Sequence, residues 1–456
     1  MAVDRSSPPP VGNDPLFHFP EIVRHTLANG LDLRTIEHRA APVVTLVIQI
    51  EAGSGADPGN QEGLAAITAD MVDEGTGSLS AIDVSDAISR IGGDYDVEVG
   101  ADVVTFGLTT LARFADRGAT LMADLITRPS LRETDFTRVR QLRLDRLRQM
   151  KDVAPAVAER AFLRLIYGAH PYGHLSIGND AALHTVSIAD VAAFHGGRFV
   201  PSQSTMVIAG DMTHEAMRTL AEATFGGWTN SPAPVAWGRA SEIEPPAESG
   251  TRLAIVPREG AAQSELRIGH LAVRRNTPDY SALLVMNSVL GGQFVSRVNL
   301  KLREEKGYTY GARTGFDWRR GRAPFAVHTS VHTAATADAV KDAHAEIEGL
   351  RGARPVTEKE LSLAKASLTR GYPRNFETAG NVARAVAQLA LYGLPDTYFQ
   401  EFMPKVNAVT GDDVTRVAAT HLDPARLTTL VVGDHAAIAE SLSRLVGDAL
   451  VISPEI

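Results

Sequence analysis

The run Asp190-Val-Ala-Ala-Phe-His-Gly-Gly-Arg-Phe-Val-Pro201-Ser-Gln-Ser-Thr205-Met-Val-Ile-Ala-Gly210-Asp211 has a counterpart 223 positions later in Asp413-Val414, Pro424, Thr428 and Gly433-Asp434. Each copy reads as a helix, a turn at proline and a buried strand, Thr205 to Ala209 in one and Thr428 to Val432 in the other. An aspartate follows each strand on a Gly-Asp turn suited to capping the next helix. A constant offset across a whole helix-turn-strand unit marks an internal repeat. The repeat extends upstream, where Val103 to Thr109 and Pro324 to Ser330 both read as strands. Each is followed by a helix (Ala112 to Ile126; Ala335 to Leu350), then by Arg128-Pro129 or Arg354-Pro355 and a long charged helix.

The reading that follows is an α+β chain of two tandem homologous domains, each a mainly antiparallel sheet covered on one face by helices, together forming a half-clamshell. Residues 1–20, with Ser6-Ser-Pro-Pro-Pro10, read as a disordered arm. The first domain spans 21–229, a Pro-, Ala- and Glu-rich linker 230–250, and the second domain 251–450. A length of 456 residues accommodates two such domains. The net charge of −9 argues against nucleic acid as a partner. The absence of cysteine excludes disulfides, thiolate metal sites and cysteine nucleophiles. No apolar run approaches the ~18–20 residues of a membrane span. The N-terminus carries no apolar signal core, so the chain as written is expected in the cytoplasm, or in the periplasm if an export signal was removed ahead of Met1.

Two further stretches carry a resemblance. Leu27-Ala-Asn-Gly-Leu31 leads into a strand from Val43 to Glu51, then Ala52-Gly-Ser and Gly63-Leu-Ala-Ala-Ile-Thr-Ala-Asp-Met-Val-Asp-Glu-Gly-Thr76. In the second half, Leu290-Gly-Gly-Gln-Phe-Val-Ser-Arg297 continues to Leu302-Arg-Glu-Glu-Lys-Gly-Tyr-Thr-Tyr310. Together these resemble the pitrilysin/insulinase family of zinc metallopeptidases, the inverzincins, from about residue 21 to 440. The resemblance implies a helix bearing H-x-x-E-H, whose histidines bind zinc and whose glutamate activates the metal-bound water. Here those five positions read Ala66-Ile67-Thr68-Ala69-Asp70, and the position of the third ligand, a glutamate in the family, falls on Leu147. Neither alanine nor leucine donates a lone pair, and one aspartate cannot hold the ion. No catalytic residue and no metal ligand is therefore expected in this chain.

The second-half motif is intact. Val295 to Lys306 reads as a helix, Gly307 as the left-handed residue that ends it, and Tyr308-Thr-Tyr310 as the start of a strand. That reversal is expected to bring Arg303 and Tyr310 together, two donors suited to a peptide carbonyl oxygen. The resemblance implies that this pair reaches into a catalytic cleft and orients substrate backbone; taken on residue pattern alone, Arg303 complements a helix C-terminus and Tyr310 is a strand aromatic. Gly291-Gly292 suits a turn or a close backbone approach.

Other features read as structural. His170-Pro-Tyr-Gly-His174 and His328-Thr-Ser-Val-His332 lack a suitably spaced acidic third ligand and are read as surface or hydrogen-bonded histidines. Arg138, Arg140, Arg143, Arg146 and Arg148 read as a solvated basic face, and Asp94, Asp96, Glu98 and Asp102 as an exposed sheet edge kept soluble by charge. No P-loop or Gly-x-Ser-x-Gly motif occurs.

The expected function is that of a catalytically silent subunit, paired with a homologous zinc-bearing partner that hydrolyses peptides and receives Arg303 and Tyr310 as substrate-binding residues. Zinc is expected in that partner and no cofactor in this chain. The competing readings are a non-enzymatic scaffold or binding protein of the same fold, and a self-sufficient peptidase with displaced ligands.

Overall fold

The computed structural model describes residues 17–230, 239–247 and 249–453. Two six-stranded sheets stand at its centre. The first runs in the order Val23–Thr26, Asp32–Glu37, Ser204–Gly210, Val43–Ile50, Val104–Leu111, Asp94–Val99. The second repeats it as Ala449–Val451, Leu253–Pro257, Thr428–Gly433, Gln263–Leu271, Pro324–His332, Ala312–Phe316. Five positions correspond and the sixth does not. The first sheet ends in a strand antiparallel to Asp32–Glu37, the second in a C-terminal strand parallel to Leu253–Pro257. Most other pairings are antiparallel, and the strand that follows each repeated helix supplies a parallel one.

The repeated unit forms as its sequence predicts. Helices Ile188–Arg198 and Gly411–His421 start at capping boxes, Ser187 with Asp190 and Thr410 with Asp413. Each reaches a short turn at Pro201 or Pro424 and then the buried strand. The Gly-Asp turns diverge: Asp434 caps the helix after it, whereas in the first half Thr213 does so in place of Asp211. The helix expected from Ala112 begins at Ala115, after one tight turn.

Helices cover both faces of the first sheet, not one. Strand residues alternate between faces with period 2. Leu33, Leu46, Ile48, Met206 and Ile208 pack under helices of their own half. Val47, Val207 and Ala209 point the other way and join the core containing Val382, Ala383 and Val386, on the second-half helix Ala379–Tyr392. The exchange is mutual. The first-half helix Ala154–Tyr167 buries Ala158, Ala161, Phe162 and Ile166 against Ala254, Val256, Leu430 and Val432 of the second sheet.

Polar contacts hold the same seam. Arg319 is buried, stacks over the rings of Tyr167 and Tyr172 at 5.1 and 4.9 Å, and donates to the Tyr172 carbonyl at 3.1 Å. The Arg320 amide donates to Asp102 at 3.0 Å, its guanidinium to Glu51 at 2.8 Å, and Tyr172 donates its hydroxyl to Asp102. Asp102 is thus an interdomain acceptor, and Asp96 pairs with Arg384 of the exchanged helix at 2.5 Å. The strand Asp94–Val99 is a sheet edge as expected.

The arm and the linker fall partly outside the described residues, the arm at 1–16 and the linker at 231–238 and 248. The last residues of the arm are docked, a correction to the reading of 1–20 as disordered. Phe17 and Phe19 pack against Tyr372, Phe376 and Phe399, and the Gln400 amide bonds the Phe17 carbonyl at 2.9 Å and the Phe19 amide at 3.1 Å.

Exchange makes the halves one folding unit. Phe162→Ala, at a site 1% exposed, is expected to cost about 3–5 kcal/mol. Urea unfolding followed by Trp228 in the first half and Trp318 in the second should move as one transition. Loss of first-half stability with the second half unchanged contradicts the exchange.

Candidate functional site

The helix Leu64–Asp70 carries the altered motif and is rooted in the core through Leu64, Ala65, Ile67 and Ala69. Its amino end is fixed by Asp57, a buried carboxylate that accepts from the Gly63 and Ala65 amides, both at 2.7 Å, and bonds His174 Nε2 at 3.0 Å. Burial pushes the Asp57 carboxyl up, against the pull of His174 and the two amides. His170 is equally committed, with Nε2 on the Ile243 carbonyl at 3.0 Å and Nδ1 accepting from the Tyr172 amide at 3.0 Å. The His170–His174 loop therefore supports the helix start.

Ala66 and Asp70 line a cavity of about 600 Å³, shared with Asp73, Glu74, Arg143 and Arg146. Ala69 lies buried behind it. Leu147 does not line this cavity; it packs with Leu144 and Leu183 in a separate cluster. On the long helix Glu133–Lys151 the residue that meets Asp70 is Arg143, one turn earlier, and it also donates to the Ser176 carbonyl at 3.1 Å. Arg138 likewise reaches Glu74, and Arg140 the Val186 carbonyl at 3.3 Å. The reading of a solvated basic stripe holds for Arg138, Arg146 and Arg148, which are exposed, and is corrected at Arg143, which braces the altered site. Nothing in the sequence separated Arg143 from its neighbours, because the partner lies 73 residues away.

These positions do not fit a zinc ion. Two are methyl side chains, one is an isobutyl group off the cavity, and the remaining carboxylate is held by a guanidinium. Among the described residues no group of three or more His, Asp or Glu is gathered closely enough to hold a metal.

Arg303 and Tyr310 do line one cavity, of about 610 Å³. Gly307 ends the helical stretch with φ +64°, and the Tyr308 amide reaches back to the Leu302 carbonyl at 2.9 Å, so the chain reverses as expected. The last turns before it are widened, with Arg297–Asn299 α-helical and Leu300–Glu305 in π geometry. The strand begins at Ala312, not Tyr308, which leaves Tyr310 on a loop and 93% exposed. That loop is fixed by Thr309 and Thr329, whose hydroxyls donate to the Gly311 carbonyl at 2.9 and 3.0 Å. The Arg303 guanidinium lies 4.4 Å from the Phe294 ring centroid, and its Nε is 3.4 Å from Glu304. The two donors thus share a wall, with no hydrogen bond between them among the described residues. Gly291 makes its close approach to the strand: a Cβ there would stand 2.5 Å from the Thr314 amide, which bonds the Gly291 carbonyl at 3.0 Å.

The floor of this cavity is ionic. Arg267 is buried between Glu265 and Glu159, the latter at 3.2 Å, and Ser330 donates to Glu265. His328 stands among them, 4.0 Å from Glu159, with no hydrogen-bond partner for Nδ1 among the described residues. Burial, with Arg267 and Arg313 nearby, lowers its imidazole to about 3, so it is neutral at ordinary pH. His328 was expected at the surface or hydrogen-bonded; it is half-buried, with Nδ1 unpartnered among the described residues, and His332, four residues on, is exposed.

In the first cavity, burial pushes the Asp73 carboxyl up to about 6 from 3.8, with Glu74 and Asp70 adding to the rise and Arg138 opposing it. Between those values the folded chain binds more protons than the unfolded one, so this group's stabilising contribution falls as pH rises from about 4 to about 6. Asp73→Asn removes the effect. Its stability advantage over wild type should grow from well under 1 kcal/mol at about pH 4 to about 3 kcal/mol at about pH 7, read by urea unfolding. A difference that does not change with pH contradicts this assignment.

Comparison with known proteins accords with the repeat. The family model described as insulinase, peptidase family M16, matches residues 34–178 and so runs through the altered positions. The model described as the peptidase M16 inactive domain matches residues 185–368. An uncharacterized zinc protease of Mycobacterium tuberculosis is 23% identical over 429 residues, 93% of this chain and 96% of its own. The crystal structure of a peptidase M16 inactive domain from Pseudomonas fluorescens superposes with a TM-score of 0.85 at 23% identity, over 91% of this chain and 98% of its own. A protease from Helicobacter pylori does so with a TM-score of 0.84 at 20% identity, over 91% and 100%. Two models of a single family, matched in succession along the chain, make it a member of peptidase family M16 that carries an inactive-type domain.

Proposed function

We propose that this chain is the catalytically silent subunit of a heterodimeric zinc metallopeptidase. It binds no zinc, pairs with a homologous zinc-bearing chain, and contributes Arg303 and Tyr310 to the binding of peptides at that partner's metal. The observation that carries this reading is the contrast between the two cavities. Where the family places its zinc ligands this chain has Ala66, an Asp70 tied to Arg143, and Leu147, and Ala69 stands in place of the glutamate base, while Arg303 and Tyr310 remain on the wall of an open cavity. A guanidinium and a phenol offer only donors to a carbonyl oxygen, which suits an extended peptide. Donors aimed at such an oxygen act most strongly as negative charge develops there.

The scaffold reading draws on one observation, the stacking of Arg303 over Phe294, which engages the guanidinium without any substrate. Kinetics separates the two. Arg303→Ala and Tyr310→Phe are each expected to lower turnover of a fluorogenic peptide by the reconstituted complex by ~10²-fold, with the loss in kcat as well as KM. Complex size and zinc content should not change. Full activity with both variants in an intact complex favours the scaffold. Metal content of about one zinc in the isolated chain, resistant to mild chelation, overturns the silent-subunit reading.

A further inference from the structure

A third cavity, of about 550 Å³, lies away from both sites, among helix Tyr280–Leu290, the turn Tyr372–Phe376, and helices Ala379–Tyr392 and Tyr398–Ala408. Its lining is dominated by rings, including Tyr280, Trp318, Tyr372, Phe376, Tyr398 and Phe402. Among them sits Arg275, 7% exposed, with its guanidinium carbon 3.3 Å from the Tyr280 ring centroid and 5.1 Å from that of Tyr398. It donates to the Tyr398 hydroxyl at 2.8 Å. Among the described residues no carboxylate forms an ion pair with it, in contrast to the buried Arg319 and Arg267, which pair with Asp317 and with Glu265. Arginine cannot shed its proton in a protein, so burial leaves a fixed positive charge. Tyrosine faces compensate it only in part.

A second group makes the same demand. Tyr372 is 7% exposed and its hydroxyl has no hydrogen-bond partner among the described residues. That hydroxyl lies within the electrostatic reach of Tyr398, Tyr280 and Arg275. A cation lacking an anion and a donor lacking an acceptor therefore line one cavity, whose remaining walls are mostly aromatic and apolar, with Ser367, Asn375 and Gln388 among them. The volume is that of a small-ligand site.

We propose that this cavity binds a carboxylate carried on an apolar body, the oxygens meeting Arg275 and the Tyr372 hydroxyl and the body lying against the rings. A single cation in an aromatic box suits one negative charge, not a phosphate dianion with three oxygens to satisfy. The shared chemistry has two sources, a free amphipathic acid or the carboxyl terminus of a peptide ending in an apolar residue. The proposal stands independently of the peptidase reading.

Isothermal titration of the full chain with N-acetylphenylalanine, its amide and decanoate tests it. At least one acid should bind with a Kd below about 1 mM, and the amide about tenfold or more weaker than N-acetylphenylalanine if that acid binds. Tighter binding of decanoate identifies a free acid as the source, tighter binding of N-acetylphenylalanine a peptide terminus. Tyr372→Phe keeps the ring stacked on Phe402 at 4.2 Å and removes only the unpartnered hydroxyl. It should leave the melting temperature unchanged and weaken binding by about tenfold. Arg275→Met should abolish binding; if it does not fold, Tyr372→Phe alone decides. Equal binding of N-acetylphenylalanine and its amide, no heat from either acid up to about 10 mM, or unchanged affinity in Tyr372→Phe overturns the proposal.

Discussion

Apolar residues on both faces of the central strands leave each sheet with a second face that its own helices do not cover. Strands in this position cannot be solvated on one side without exposing Val47, Val207 and Ala209 in one half or Ala254, Val256, Leu430 and Val432 in the other. The chain resolves this by giving each sheet a helix from the opposite half. The seam is therefore core, with the packing of an interior instead of a surface contact, and buried Arg319 is tolerated there because Asp317 and the Tyr172 carbonyl engage it, while half-buried Asp102 accepts from both halves.

That exchange reaches both cavities. The helix Ala154–Tyr167 brings Pro155 to the wall of the Arg303 cavity and pairs Glu159 with Arg267, which lines it. The preceding helix, Glu133–Lys151, supplies Arg143 to the altered site. One continuous run of first-half chain thus shapes a wall of each cavity. In the altered site, arginines supply the positive charge that Asp70 and Glu74 face, which allows acidic residues to stay clustered. Burial raises the proton affinity of both Asp73 and Glu74, and in Asp73 the neighbouring carboxylates add to the rise.

The two sites differ in how they are held. The helix Leu64–Asp70 is anchored by Asp57 at its start and by core packing along its length, so its geometry survives the replacement of every group that would bind metal. The Arg303 cavity rests on backbone contacts: Gly291 against Thr314, Asn299 bonding the Phe294 carbonyl and the Ala312 amide, and Gly307 reversing the chain. Tyr310 stands at the end of this frame, exposed to solvent.

Local chemistry was legible in the sequence wherever period, caps and turns decide it. The repeat, its capping boxes, the strand after each proline turn, the helix end at Gly307 and the replaced positions Ala66, Ala69, Asp70 and Leu147 all depend on residues within a few positions of one another, or on side-chain chemistry that folding cannot alter. Contacts between residues far apart in the chain were not legible there. The exchange of helices, the pairing of Arg143 with Asp70, the unpartnered Nδ1 of half-buried His328 and the charge of Arg275 inside its ring of tyrosines depend on which surfaces meet, and sequence spacing carries no record of that. An arginine reads the same on a solvated stripe as beside a buried carboxylate, and only the tertiary structure decides whether water or protein surrounds it.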